Sequence, residues 1–192
     1  MESSPGYTAS LAAEIENLGF DILLCPDTQN LTPDPIGQLS LASKSTSKLH
    51  LGTGVTNPIT RDVAVVACSM MTLHLESGGR AICGVGRGDS SAAHIGLKNS
   101  STLQLRHFIE DFKRYVSGRE VIRNGKQSRF RWLEDRKTSQ LNIDVACTGP
   151  KTIKMASEVA DRISFAVGSA PEQLKWAVSV AENQLKEIGR PQ

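Results

Sequence analysis

Aromatic residues are scarce: two Trp, two Tyr and five Phe make up 5% of the chain. Binding of single-stranded nucleic acid relies on aromatic faces set among cations. Phe130 and Trp132 alone make a poor platform of that kind, so nucleic acid is not an expected partner. An excess of one charge is also lacking. Twenty-two Lys and Arg stand against 20 Asp and Glu, a formal net charge of +2, which gives no global steering toward polyanions or membrane surfaces. No apolar run approaches the roughly 18 residues that span a bilayer. Met1-Glu2-Ser3-Ser4-Pro5 carries neither the basic segment nor the apolar core of a leader. A cytoplasmic protein without a membrane partner is expected. Cys25, Cys68, Cys83 and Cys147 are scattered and unpaired in spacing, and His50, His74, His94 and His107 form no ligand motif, so no metal site is expected.

What the chain does have is a repeated alternation of short apolar runs and amphipathic segments. Leu11, Ile15 and Leu18 recur at helical spacing and Gly19 stops the pattern. Asp21 to Pro26 is then an apolar strand. Asp34 caps a helix with Pro35 in its first turn, and Ile36, Leu39 and Ala42 form its inner stripe. Leu49 to Thr53 and Ala81 to Val85 read as strands on either side of a helix from about Asp62 to Leu75. A loop runs to about Ser100, before a helix that turns Leu105, Phe108, Ile109, Phe112 and Val116 inward. Strand Asn142 to Cys147, helix Lys151 to Ala160, strand Arg162 to Val167 and helix Pro171 to Ile188 follow. Three of the four cysteines fall in strands, where a thiol packs as a small apolar group. Strand plus helix, repeated, predicts an α/β protein with a parallel sheet.

Residues 117–140 break that rhythm. Arg119, Arg123, Lys126, Arg129, Arg131, Arg136 and Lys137 outnumber Glu120, Glu134 and Asp135, and Asn124-Gly125 is a hairpin signal. The segment reads as a basic insertion over the sheet. It is either a solvated excursion or a receiver for an anionic cofactor tail or substrate.

The strands centred on Leu51 and Ile82 end in glycine-rich polar loops. They are Gly52-Thr53-Gly54-Val55-Thr56-Asn57-Pro58 with Thr60-Arg61, and Gly84-Val85-Gly86-Arg87-Gly88-Asp89-Ser90. Parallel α/β proteins place their chemistry at such carboxyl ends. With Leu75-Glu76-Ser77-Gly78-Gly79-Arg80 between them, these motifs resemble the luciferase-like monooxygenase family, and within it the deazaflavin-using branch. The resemblance runs from about Leu11 to Arg190. It implies a partial (β/α)8 TIM barrel with five parallel strands present, family strands 2–6, and the insertion after the fourth family strand. A complete barrel takes about 250 residues. The 192 residues therefore form a single incomplete barrel domain. Either the gene is truncated, the sequence is a piece of a longer one, or a partner or second copy completes the barrel.

The resemblance also implies a function: hydride transfer between coenzyme F420, a deazaflavin, and a small organic substrate. FMN, in a two-component monooxygenase, is the alternative cofactor. A non-catalytic barrel fragment acting through self-association or a partner is the alternative of another kind. Asp27, Gly54, Val55 and Thr56 would face the flavin ring, with a cis non-proline bond at Gly54-Val55. Gly86 and Gly88 would bring backbone amides close to ring or phosphate, and Arg87 could meet an anionic group. Asp89 matches a carboxylate with acid/base work in sugar-phosphate-oxidising relatives. Gly149, Pro150 and Lys151 open a helix whose amides and dipole favour phosphate, and Gly168 is a similar position one unit on. The residue chemistry leaves plainer roles open at each place: a loop cap for Asp27, a strand-end turn at Gly54, a tight turn at Asp89 and an ordinary helix start at Gly149. Thr28 stands where some relatives have a proton-donating histidine, and threonine has no titration near neutrality.

Overall fold

The computed structural model describes residues 6–134, 136 and 138–190. Met1 to Pro5, and Asp135 and Lys137 of the basic segment, lie outside the described residues. The elements follow the chain as α1 Thr8–Asn17, β1 Ile22–Cys25, α2 Pro35–Ser45, β2 His50–Thr53, α3 Val63–Glu76, β3 Ala81–Val85, α4 Asp89–Ala93, α5 Thr102–Val116, β4 Val121–Arg123, β5 Lys126–Ser128, β6 Asn142–Cys147, α6 Pro150–Val159, β7 Arg162–Phe165 and α7 Pro171–Glu187.

Five strands pair in the order β1-β2-β3-β6-β7, all parallel. Sequential order with right-handed crossovers puts every connecting helix on one face, and the sheet curves into a half-barrel. Alternate residues of each strand face the helices. Leu51, Ala81, Cys83, Val85, Ile143, Val145 and Cys147 do so, and join Leu39, Met70, Phe112 and Ile153 in one core. The other face carries Leu24, Gly52, Ile82, Gly84, Asp144 and Ala146, and Leu24 there is 46% exposed. The expected half-barrel is the observed fold. Burial pushes the Cys25 and Cys147 thiols up to about 11 and about 12, so both pack as apolar groups.

Helix starts follow local chemistry. The Asp34 carboxylate accepts from Gly37 N at 2.8 Å, and Pro35 needs no partner in the first turn. Ser101 and Gln104 form a reciprocal capping box on α5. At the amino end of the sheet, Glu16 of α1 accepts from the amides of Ser47, Lys48 and Leu49 at 2.7–3.0 Å. Those three donors, Lys48 foremost, hold its carboxyl down at about 2, against an ordinary 4.5. A carboxyl lowered in the folded chain adds stability that is complete above its unfolded value and fades as pH falls toward the folded one. Urea melts from pH 6 to pH 2 should therefore show stability dropping between about 4.5 and about 2. Glu16→Gln should flatten that part of the curve.

Two expectations are corrected. The stretch read as loop up to Ser100 contains α4, a single five-residue turn too short to show a helical period. The basic insertion, expected over the sheet, packs on its helical side. Its hairpin, β4 with β5, packs on α5 among the helices: Val121 and Leu133 enter the core, Phe130 stacks on Tyr115 at 4.9 Å, and Tyr115 Oη donates to Ser128 Oγ at 2.7 Å. Arg123 is held by both oxygens of Asp62, the cap of α3, at 2.5 and 2.7 Å.

Candidate functional site

Because the sheet is parallel and consecutive, the tips of all five strands point the same way. Gly54, Val55, Gly86, Arg87, Gly88, Asp89, Ser90, Ser91, Ala146, Thr148, Thr152 and Thr28 line one cleft of about 190 Å³ at that end.

The cleft floor is built from glycines. Gly84 faces Thr53 so closely that a Cβ on it would sit 2.0 Å from the Thr53 carbonyl oxygen, and a Cβ on Gly86 would sit 2.8 Å from Val55 Cγ2. The Val55 side chain thus rests over Gly84 and Gly86, where no side chain stands, and Ala146 Cβ lies 3.9 Å from where a Gly86 Cβ would be, so Val55 and Ala146 supply the apolar part of the lining. The Gly54-Val55 peptide bond is cis, as the resemblance implies. Backbone bonds extend the pairing past the strand: Gly54 N to Cys25 O, Thr56 N to Gly84 O and Gly86 N to Thr56 O, at 2.8–2.9 Å.

Asp27 lies behind this floor and is not among the cleft-lining residues. It is 1% exposed, and its oxygens accept from Arg61 Nε and Thr56 Oγ1 at 2.7 Å each, from Arg61 Nη2 at 3.0 Å and from Gln29 Nε2 at 2.7 Å. Arg61 reaches Asp34 as well, at 2.6 Å. Its hydrogen bonds to Asp27 raise its own proton affinity above the ordinary value. Burial pulls the Asp34 carboxyl up, but the Gly37 amide and Arg61 outweigh it and hold it below the usual range. Thr56, buried, belongs to the same network. Both residues position the loops that carry Gly54, Val55 and Thr28.

Asn57 is the next buried knot. Its carbonyl accepts from the Ile59 and Thr60 amides and its Nδ2 donates to Ser91 Oγ at 2.9 Å, tying the second loop to the third. Arg87 lines the cleft, yet its Nε is spent on the Ser100 carbonyl at 2.7 Å. Asp89 is exposed at the first turn of α4 and accepts from Asn99 Nδ2. Asn30 Nδ2 donates to His94 O at 2.8 Å and bridges the first loop to the end of α4.

Helix α6 begins at Gly149 with no side-chain cap and Pro150 in its first turn, leaving its leading amides uncommitted. Thr148 and Thr152, on either side of that start, line the cleft. Gly149, Pro150 and Lys151 flank it, and nothing lies within 4 Å of where a Gly149 Cβ would be. Gly168 follows β7 with φ +83 and does not line the cleft. Thr152 and Ser91 escaped the sequence reading. One signal was available for Thr152: it sits three residues past Gly149, where a first-turn side chain returns toward the helix start. Arg80, part of the family-like motif, belongs to the opposite end of the sheet. It spends five hydrogen bonds on Ser43, Thr46, Leu49 and Ser77 there. Among the described residues no three His, Cys, Asp or Glu side chains are grouped to hold a metal ion, and no helix is long and apolar enough to cross a membrane.

An apolar patch with peptide groups at its edge and free helix-start amides at one side suits a flat ring with an anionic tail. Comparison with known proteins bears on that geometry. The family described as luciferase-like monooxygenase matches residues 1–192. The 5,10-methylenetetrahydromethanopterin reductase of Methanolobus tindarius is 31% identical over 95% of this chain, which spans 56% of that protein. The F420-dependent glucose-6-phosphate dehydrogenase of Kineococcus radiotolerans is 28% identical over 82% of the chain and is spanned over 51% of its length. The solved structure of the coenzyme F420 dependent tetrahydromethanopterin reductase from Methanopyrus kandleri superposes with a TM-score of 0.83 at 28% identity, covering 98% of this chain and 60% of that one. The chain thus spans somewhat more than half the length of the relatives it matches.

Proposed function

This chain belongs to the luciferase-like monooxygenase family, and from that premise we propose that it binds coenzyme F420 in the cleft and takes part in hydride transfer to or from a small organic molecule. The observation that carries this reading is the shared cleft: Gly54, Val55, Gly86 and Asp89 open onto one space with Thr148 and Thr152 at the uncapped start of α6. The residues fit the coenzyme's two chemical parts. Val55 and Ala146 offer an apolar surface for the ring. The α6 amides, Thr148, Gly149 and Lys151 would hold a phosphate, Pro150 fixing the turn that exposes them.

When bound, the deazaflavin supplies a carbon centre that carries hydride. The chain's own work is orientation. Gly86 and Gly88 let backbone approach the ring, and the Asp27–Arg61–Thr56 network fixes the loops that frame it. Asp89 lines the cleft, exposed and with one oxygen held by Asn99, and in this reading would exchange a proton with substrate. Two F420-dependent proteins among the relatives support deazaflavin over FMN. A second reading, a barrel segment that acts by association without catalysis, is favoured by the exposure of Leu24 on the inner face of an edge strand.

Fluorescence titration of the purified chain with coenzyme F420 and, separately, FMN tests the proposal. Saturable quenching by F420 is expected, weakened about fivefold by Lys151→Gln, as suits roughly 1 kcal/mol from a cation at an exposed phosphate. Binding of FMN alone would replace the deazaflavin reading. Binding of neither, with self-association on sizing, would favour the second.

A further inference from the structure

A second recess, about 590 Å³, opens at the opposite end of the sheet, where α5 ends and β6 begins. It is lined by Lys113, Arg119, Arg136, Thr138, Ser139 and Asp161, among others. Its volume is in the range of small-molecule sites, and it shares no lining residue with the cleft at the strand tips.

Among the described residues the charges here do not cancel. Asp161 is fully used: one oxygen accepts from Lys113 Nζ at 2.7 Å and the other from the Ile143 amide at 2.9 Å. With Lys113 neutralised by that carboxylate, Arg119 and Arg136 remain, and neither has a carboxylate partner among the described residues. Arg119 is already oriented, its Nε donating to Ser117 Oγ at 2.9 Å, which leaves the outer edge of the guanidinium for a ligand. Other arginines of the basic segment are committed elsewhere: Arg123 to Asp62 and Arg129 to Glu134. Hydroxyl donors stand beside the two arginines, Thr138 and Ser139, the latter anchored by His74 Nε2 at 2.8 Å. Two guanidinium groups with adjacent hydroxyls are the donor set that takes phosphate oxygens, through bidentate charge-assisted bonds.

We propose that this recess is a binding site for a small phosphorylated or pyrophosphate-bearing anion, held by Arg119 and Arg136 with Thr138. It lies away from the cleft and does not depend on the coenzyme assigned there. The anion sits against the end of α5 and the Asp161 turn between α6 and β7, so its binding tightens the segment that feeds β6.

Calorimetric titration of the intact chain with pyrophosphate at low ionic strength tests it. One saturable site is expected, weakened about tenfold or more in the Arg119→Gln, Arg136→Gln double variant. A smaller, roughly threefold weakening is expected in Thr138→Val, which changes no charge. Lys154→Gln, an exposed lysine of α6 outside the recess, should leave the affinity unaltered. Both arginines are exposed, so circular dichroism should show all variants folded. The proposal is overturned if pyrophosphate gives no saturable heat at millimolar concentration, or if the double variant binds like the parent. It is also overturned if Lys151→Gln, at the start of α6, abolishes binding that the arginine variants leave intact.

Discussion

Replacing Gly84 by alanine is expected to cost about 3 kcal/mol or more and to leave little soluble protein. The added Cβ would meet the Thr53 carbonyl oxygen at 2.0 Å and Val55 Cγ1 at 3.3 Å. Neither contact has an easy escape. Thr53 is locked by its own hydroxyl, which donates to the Gly84 carbonyl at 2.7 Å, and Val55 lies between two held amides, Gly54 N on Cys25 O and Thr56 N on Gly84 O. Relief requires β2 to move away from β3, and that separation would break the pairing at the centre of the sheet. Gly149→Ala is the comparison, since nothing lies within 4 Å of its added methyl, and it should change stability by well under about 1 kcal/mol. Urea titrations of both variants decide the matter. Equal stability of the two would show that the tight approach of β2 to Gly84 does not matter to the fold.

Asp27→Ala is expected to be nearly as severe, at about 3–5 kcal/mol. The substitution leaves Arg61, the Thr56 hydroxyl and the Gln29 amide around a buried space with no acceptor. Asp34, at 2.6 Å, retains part of the guanidinium's hydrogen bonding and keeps the loss toward the lower end of that range. Asp34→Asn removes a more exposed partner, 56% accessible, and should cost no more than about 1 kcal/mol. If stability is measured by denaturant and coenzyme binding by fluorescence, Asp27→Ala should lower both. A protein of unchanged stability that no longer binds would instead make Asp27 a direct contact to the coenzyme.

The contrast over Asp27 illustrates what could be read in advance. The strand-helix alternation, the Asp34 cap and the glycine-rich tips were legible because each is written in neighbouring residues with a fixed period or offset. That Gly54, Asp89 and the start of α6 share one end followed from parallel pairing alone. Asp27 stands at a strand tip, where the resemblance implies a residue facing the ring and the local chemistry leaves a loop cap equally open. Its partner Arg61 is 34 positions away, and no local pattern announces a bond over that distance. The hairpin of β4 and β5 was likewise legible from Asn124-Gly125, while its side of the sheet was not. That was decided by Tyr115, Phe130 and Leu133, whose apolar surfaces drew the segment onto α5 and left its cations on the outside.

Hydrogen bonding around the cleft divides its rim into two mechanical parts. Thr56 with Asp27, Asn57 with Ser91, and Asn30 with His94 stitch the loops after β1, β2 and β3 into one closed ring. Among the described residues no hydrogen bond joins that ring to the turn at Thr148 and Gly149. One jaw is therefore cross-stitched loop to loop, while the other is held from behind, by β6 against β7 and by α6 against α5 and α7. An occupant touching both would act as the clasp between them.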